Sequence, residues 1–195
     1  MPPESYVKFQ AGWRKAAIPV DPQRLEIINR IRRILMKRGM IGALPDGSGY
    51  GNISLRMRDN TFVITASATG QLKTLDMSAL ALVESADIAE NRIVCRGLRI
   101  ASSESLSHAA CYQSNSSITT VIHIHHAELW KKYYPELPRT KHSAACGTVA
   151  MAQSIAEIVR RNALSRGRIL MGGHPDGLLA YGDDPDTALG LLLEL

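Results

Sequence analysis

The run Thr-Val-Ile-His-Ile-His-His (120–126) constrains this chain more than any other segment. Ile118, Val121 and Ile122 lead into it, and the apolar β-branched pair predicts a buried strand. Side chains alternate across a strand, so His123 and His125 project from one face. Two imidazoles on one face of a rigid strand can both reach a single divalent metal. Upstream lies Ser102-Ser103-Glu104, and downstream lies His174 in a Gly-Gly-His-Pro-Asp-Gly turn. Catalytic zinc-type sites use three protein ligands and keep a position open. His123, His125 and His174 supply three nitrogens, with Glu104 as a fourth ligand or a base. A His-x-His pair alone is weak evidence, because core histidines bonded to a backbone carbonyl are common. The combination carries the reading.

The other polar residues have blander roles. His126 follows the ligand pair on the opposite face and is expected to be structural. His108 sits one helical turn after Glu104, where it either holds that carboxylate or lines the site. His142 reads as an exposed loop histidine, Asp176 as a turn former, and Tyr112 and Tyr181 as core.

At 195 residues the chain has the length of one domain with room for a core. Residues 1–20 read as an extended N-terminal arm, with residues 21–195 as the domain. Asp21-Pro22 is a helix start, an N-cap followed by proline in the first turn. Leu25, Ile28, Ile31 and Leu35 then recur at helical spacing, and Gly39 ends the helix. A turn over 45–49 precedes strands expected at 52–56, 62–65, 79–83 and 92–95. Residues 102–114 are expected to be helical, capped by Ser102 or Ser103. A short helix over 127–134 ends at Pro135 and Pro138, which open a loop through Cys146. A helix over 147–162 follows, then strands over 168–171 and 178–181 flanking His174. A closing helix over 185–193 is capped by Asp184. Strands adjacent in sequence favour a single three-layer α/β/α domain with a central mixed, largely antiparallel sheet.

The apolar fraction of 45% and charged fraction of 21% are those of an ordinary globular protein, and no apolar run is long enough to span a bilayer. The net charge is +5, much of it in Arg30, Arg32, Arg33, Lys37 and Arg38. These residues are expected on the solvated side of the first helix, and no nucleic-acid-binding motif accompanies them. An anionic small-molecule substrate is compatible with the charge. Cys95, Cys111 and Cys146 are unpatterned and read as reduced thiols. With no apolar leader run in residues 1–10, they give an expectation of a cytoplasmic protein.

Six segments, taken in order, resemble the class II aldolase/adducin family, which includes the fuculose-phosphate and rhamnulose-phosphate aldolases. They are Tyr-Gly-Asn-Ile-Ser (50–54), Ile-Thr-Ala-Ser-Ala-Thr-Gly (64–70), Ala-Ser-Ser-Glu-Ser-Leu-Ser-His (101–108), Val-Ile-His-Ile-His (121–125), Cys-Gly-Thr-Val-Ala-Met-Ala (146–152) and Gly-His-Pro-Asp-Gly-Leu-Leu-Ala-Tyr-Gly (173–182). The resemblance implies that His123, His125 and His174 hold a metal, and that Glu104 is the acid/base and touches the metal. It also implies a phosphate or anion pocket from Gly51, Asn52, Thr69, Gly70, Ser102 and Ser103. Ser67 is an alternative contact, because the 64–70 turn is longer than the family's usual form. Glycines permit close backbone approach, and hydroxyls and amides at a helix N-terminus favour an anion.

The implied function is a metal-dependent, aldolase-type lyase acting on a small hydroxylated, phosphorylated carbonyl compound through a metal-stabilised enediolate. Zn2+ is the first choice of cation, with Mn2+, Co2+ and Fe2+ as alternatives. A homotetramer with sites between subunits is implied as well. The family's sugar-phosphate aldolases use a C-terminal tyrosine as proton donor beyond the region matched here, so that role falls to another residue. Pro175-Asp176 separates His174 from its following glycine, a departure from the usual pattern. Dehydratase, epimerase and decarboxylase relatives share the enediolate step. The dehydratase branch places an acidic residue in the loop before the third histidine, and residues 139–147 contain none. A non-catalytic adducin-like module is the remaining alternative, but such modules lose the metal histidines that this chain keeps.

Overall fold

The computed structural model describes residues 8–195, so residues 1–7 of the expected arm lie outside the described residues. Its first helix, α1 (Pro22–Lys37), starts where the sequence predicts. The Asp21 side chain accepts a hydrogen bond from the Gln23 backbone N–H at 2.9 Å, and Pro22 occupies the first turn. The helix ends in a Schellman motif. Gly39, at φ +69°, donates to Met36 O at 3.1 Å, and Met40 donates to Leu35 O at 3.0 Å.

Ile28, Ile31 and Leu35 form the buried stripe of α1. Burying each such side chain contributes about 2 kcal/mol, so packing rather than propensity holds this helix. Arg32 corrects the expectation of a fully solvated basic face. It lies on the same stripe and is only 1% exposed. Its guanidinium donates to the carbonyls of Thr69, Gly70 and Leu72 at 2.7–3.1 Å. Buried charge is tolerated there because three acceptors replace water.

The strands are β1 (Gln10–Arg14), β2 (Gly42–Ala43), β3 (Gly49–Tyr50), β4 (Asn52–Arg56), β5 (Phe62–Thr65), β6 (Leu80–Asp87), β7 (Arg92–Gly97), β8 (Thr120–His125), β9 (Gly167–Leu170) and β10 (Gly177–Gly182). Eight form one sheet in the order β1-β7-β6-β5-β4-β8-β10-β9. Only the β1/β7 pair is parallel among the described strands. The mixed, largely antiparallel sheet agrees with the sequence reading. Residues 10–14 of the arm are its edge strand, with the Trp13 indole donating to Gly97 O at 3.0 Å.

The remaining helices are α2 (Ser105–Ser114), α3 (Ala127–Tyr133), α4 (Val149–Asn162) and α5 (Pro185–Leu193). One core lies between the sheet and the α2/α4 layer and includes Ile64, Leu106, Val121, Met151, Ile155 and Leu179. The opposite core, under α1 and α5, includes Ile28, Ile53, Ile122, Ile124, Leu178 and Leu189. Thus β8 is buried on both sides, and its alternation sends His123 and His125 toward the α2/α4 side. Tyr112 and Tyr181 are core residues as expected.

Beyond shifts of one or two residues at the ends of β7, β9, β10, α3 and α4, three departures from the sequence reading stand out. β6 continues to Asp87 because Ser85, Ala86 and Asp87 keep pairing with β7 past a register shift after Val83, a stretch whose only apolar residue is Ala86; Glu84 there meets Arg14 and Arg96 at 3.2 Å each. The 45–49 turn is the tip of a small hairpin formed by β2 and β3. α2 begins at Ser105 with Glu104 in the N-cap position, and no side chain caps it, contrary to the expectation for Ser102 or Ser103.

Candidate metal centre

Two antiparallel ladders position the histidines. β8 lies between β4 and β10, with His123 opposite Asn52 on one side and Leu179 on the other. Met40 O and Asp176 O accept the backbone N–H groups of His125 and His126 at 3.0 and 2.8 Å. These bonds fix the end of the strand. The His174 turn closes on itself, His174 N–H donating to Met171 O and Gly177 N–H to His174 O, each at 3.0 Å. A Cβ on Gly177 would meet His174 Cδ2 at 2.5 Å, so the ring's seat requires glycine there. Asp176 forms the turn at φ +68°.

The three rings converge. His123, His125 and His174 each offer a nitrogen, all within 4.8 Å of one another, and the His125 and His174 Nε2 atoms are 3.0 Å apart. Ring centroids are separated by 4.5–5.2 Å. Burial lowers all three pKa values: His174 to about 4, His123 well below the usual histidine range, and His125 against the opposing Asp176 carboxylate. Neutral rings with free lone pairs are what a cation requires. His123 Nε2 is buried with no hydrogen-bond partner, an orphaned atom that a metal would satisfy. The donor set therefore fits a divalent cation of the zinc type.

Glu104 lies at the start of α2 and is 2% exposed. Its Oε2 accepts from Ser107 Oγ at 2.7 Å, and its Oε1 accepts from the Cys146 thiol at 2.5 Å. Burial raises its pKa, and the two hydrogen bonds partly oppose that shift. Glu104, Cys146 and His174 also place one ligand atom each within 4.8 Å of the others, so this cluster shares His174 with the histidine set.

His108 does not hold the Glu104 carboxylate. It is fully buried, with Nδ1 2.7 Å from Ser54 Oγ, which in turn lies 2.7 Å from Tyr112 OH. His126 accepts the Leu129 N–H through Nδ1 and caps α3, the structural role expected of it. His142 is exposed, and its Nδ1–H donates to Gly172 O at 3.1 Å.

The loops carrying the expected anion contacts meet at the same end of the sheet. Ala66 bridges Ala101, and Ser67 N–H donates to Ile100 O, which brings the 66–70 turn beside Ser102 and Ser103. Thr69 Oγ1 donates inward to Ala66 O, and Gly70 packs between the backbones of Gly42 and Gly49. Asn52 faces His123, and a Cβ on Gly51 would lie 3.1 Å from His123 O. Ser102 Oγ accepts the Glu104 N–H at 3.3 Å. A cleft of about 420 Å3 opens beside His125, lined by Arg38, Tyr50, Glu128 and Asp176 among others.

Residues 30–195 match the profile of the Class II Aldolase and Adducin N-terminal domain. The chain belongs to the class II aldolase and adducin family. Solved structures with the same fold include an L-fuculose 1-phosphate aldolase (21% identity, TM-score 0.67, covering 90% of this chain and 82% of that one). The L-fuculose-1-phosphate aldolase of Thermus thermophilus is 23% identical (TM-score 0.61, covering 87% and 85%). YgbL of Klebsiella pneumoniae, for which aldolase, epimerase and decarboxylase activities are all candidates, is 20% identical (TM-score 0.64, covering 89% and 84%). No curated protein sequence matches the chain significantly. Family membership makes an enzyme with a metal-dependent chemistry and a small-molecule substrate the reference for the site. Among the described residues no helix is long and apolar enough to cross a membrane.

Sequence reasoning missed Cys146, Ser107 and Arg32. Ser107 stands three residues after Glu104 on the helix, a spacing that signals contact. Arg32 stands four residues after Ile28 and three before Leu35, a position on the apolar stripe. Cys146 had no local signal, because only the folded loop brings it to Glu104.

Proposed function

We propose that this protein is a metal-dependent lyase that cleaves a small hydroxylated carbonyl compound bearing an anionic group, in the manner of an aldolase. The observation that carries the reading is the buried Glu104 carboxylate beside three converging neutral imidazoles. His123, His125 and His174 would hold the cation, with Glu104 able to approach it as well. When bound, such a cation acts as a Lewis acid toward a substrate carbonyl.

The chain's own residues supply the rest. Glu104 takes the proton from the substrate hydroxyl as the C–C bond breaks and returns one to carbon afterward. Ser107 holds the carboxylate orientation through Oε2. Ser67, Ser102 and Ser103 hold the anionic group with Gly51 and Asn52, while Thr69 and Gly70 shape the turn between them. Arg38 lines the cleft next to His125 and draws an anion toward it. The assembly is a homotetramer, and a neighbouring subunit completes the proton relay.

Metal-loaded protein incubated with phosphorylated ketoses and their unphosphorylated forms, read by mass spectrometry, tests the proposal. Two smaller carbonyl fragments are the expected product. A product lighter by one water would instead identify a dehydratase, and an unchanged mass with altered stereochemistry an epimerase. Loss of carbon dioxide would identify a decarboxylase. A single monomeric species at micromolar concentration would refute the tetramer.

A further inference from the structure

Lys8 reaches the candidate metal centre from the N-terminal arm. Its backbone is anchored on both sides: Asn91 Nδ2–H donates to Lys8 O at 2.8 Å, and Gln10 N–H donates to Asn91 O at 2.7 Å. Between them Phe9 is buried in the core shared with α2 and α4. The Lys8 ammonium then donates to Cys146 O at 2.9 Å. That acceptor is itself held in place. The loop before it is clamped where Gly173 leaves no room for a Cβ against Ala144 O, and Thr148 caps α4 just after it.

Gly147 shows how close this lysine comes to Glu104. A Cβ built there would lie 3.2 Å from Ser103 O, 3.6 Å from Lys8 Cδ and 3.8 Å from Glu104 Oε1. The lysine stem, the carboxylate and the serine backbone therefore border one small space, which a glycine at φ +70° keeps open. The charge reaches further than the contact. Burial is the larger cause of both shifts, but the Lys8 ammonium opposes the rise at Glu104 and adds to the fall at His174.

An ammonium carries three donors, so two remain for a ligand after the bond to Cys146 O. Lys8 is exposed, and among the described residues no carboxylate forms an ion pair with it. By contrast Gly51, Asn52, Ser67, Ser102 and Ser103, the proposed holders of the substrate's anionic group, are all neutral. Bonds to an anion are stronger when the donor is charged.

We propose that Lys8 is the substrate-binding cation of this site, pairing with an oxyanion of the substrate, phosphoryl or carboxylate, beside Ser103 and Glu104. The proposal rests on the metal-dependent reading above and names the group that the arm selects. A nearby positive charge also favours the ionised Glu104, the form that accepts a proton.

Calorimetric binding to the metal-loaded full chain tests this with three hydroxyketones that differ at one end: dihydroxyacetone, dihydroxyacetone phosphate and hydroxypyruvate. Wild type is expected to bind at least one of the two anions about ten- to a hundred-fold more tightly than K8M does, the range of one hydrogen-bonded charge. Dihydroxyacetone should bind both proteins equally, and K8R should recover most of the lost affinity. A loss confined to dihydroxyacetone phosphate identifies a phosphoryl partner, and one confined to hydroxypyruvate a carboxylate. Equal affinity of wild type and K8M for both anions would overturn the pairing. So would an equal loss for all three ligands, which marks a structural lysine. Either result leaves the metal-dependent reading standing when elemental analysis finds stoichiometric metal. Wild type that takes up no metal would overturn that reading and this inference with it.

Discussion

Asn52 sets its side-chain amide 3.3 Å from His123 Nδ1, directly across the β4/β8 ladder. Asn52 Oδ1 is itself buried without a partner. With the amide turned so that Oδ1 faces the ring, that oxygen would accept from Nδ1–H and the neutral ring would carry its lone pair on the unpartnered Nε2. Such a bond would select the tautomer that can bind a cation through Nε2, as outer partners of metal-bound histidines do.

Replacing Asn52 by Leu removes that control while keeping side-chain volume. Metal affinity is expected to fall about ten- to a hundred-fold, measured by competition with a chelator. The far-ultraviolet circular dichroism should be unchanged. Unaltered affinity in a folded N52L protein would show that His123 needs no such partner.

Arg32 governs stability from the other side of the sheet. Its guanidinium satisfies three carbonyls of the 69–72 turn, which a methionine of similar length would leave bare. R32M is expected to lower unfolding free energy by about 3 kcal/mol, given the cost of buried acceptors without donors. Urea unfolding measures it. An unchanged midpoint would mean that water reaches those carbonyls.

Much of this architecture was legible because it depends on local chemistry. Asp21-Pro22 and Asp184-Pro185 announce helix starts, and the structure shows both aspartates accepting the expected backbone N–H bonds. The histidine pair was readable from strand alternation alone. His174 needed the order of the family's segments, since nothing local links residue 174 to residue 125. Charge misled at Arg32, where position on the helix outweighed residue type. Of the two roles open to His108, contact with Glu104 is the one that helical spacing suggested wrongly, because tertiary packing turns its ring to Ser54 instead. Cys146 depended on two loops meeting through close glycine contacts, an arrangement without a sequence period.

His108 makes stability pH-dependent. Burial holds its pKa at about 3 in the folded chain, against about 6.5 when unfolded. Between these values the unfolded chain binds the extra proton, so stability is complete above about pH 6.5 and falls as the pH drops toward 3. His125 and His174 act in the same direction in metal-free protein. H108N should therefore flatten, without abolishing, the decline in urea midpoint between about pH 7 and pH 5. An equal slope in wild type and variant would assign the decline to other groups.

Glu104 separates chemistry from architecture. A glutamine there still accepts a hydrogen bond from Ser107 through its carbonyl oxygen, but it cannot carry a proton. With the three histidines untouched, E104Q should retain its metal, measured by elemental analysis. Turnover on whichever substrate the screen identifies should fall by about a hundred- to ten-thousand-fold, the contribution typical of a positioned acid or base. Ser107 acts only through that carboxylate, so S107A should lower turnover less. It should also shift the pH profile upward, because removing a donor to the ionised carboxylate raises its pKa. Normal turnover in E104Q would place the proton transfer on a different residue, even with the metal correctly bound.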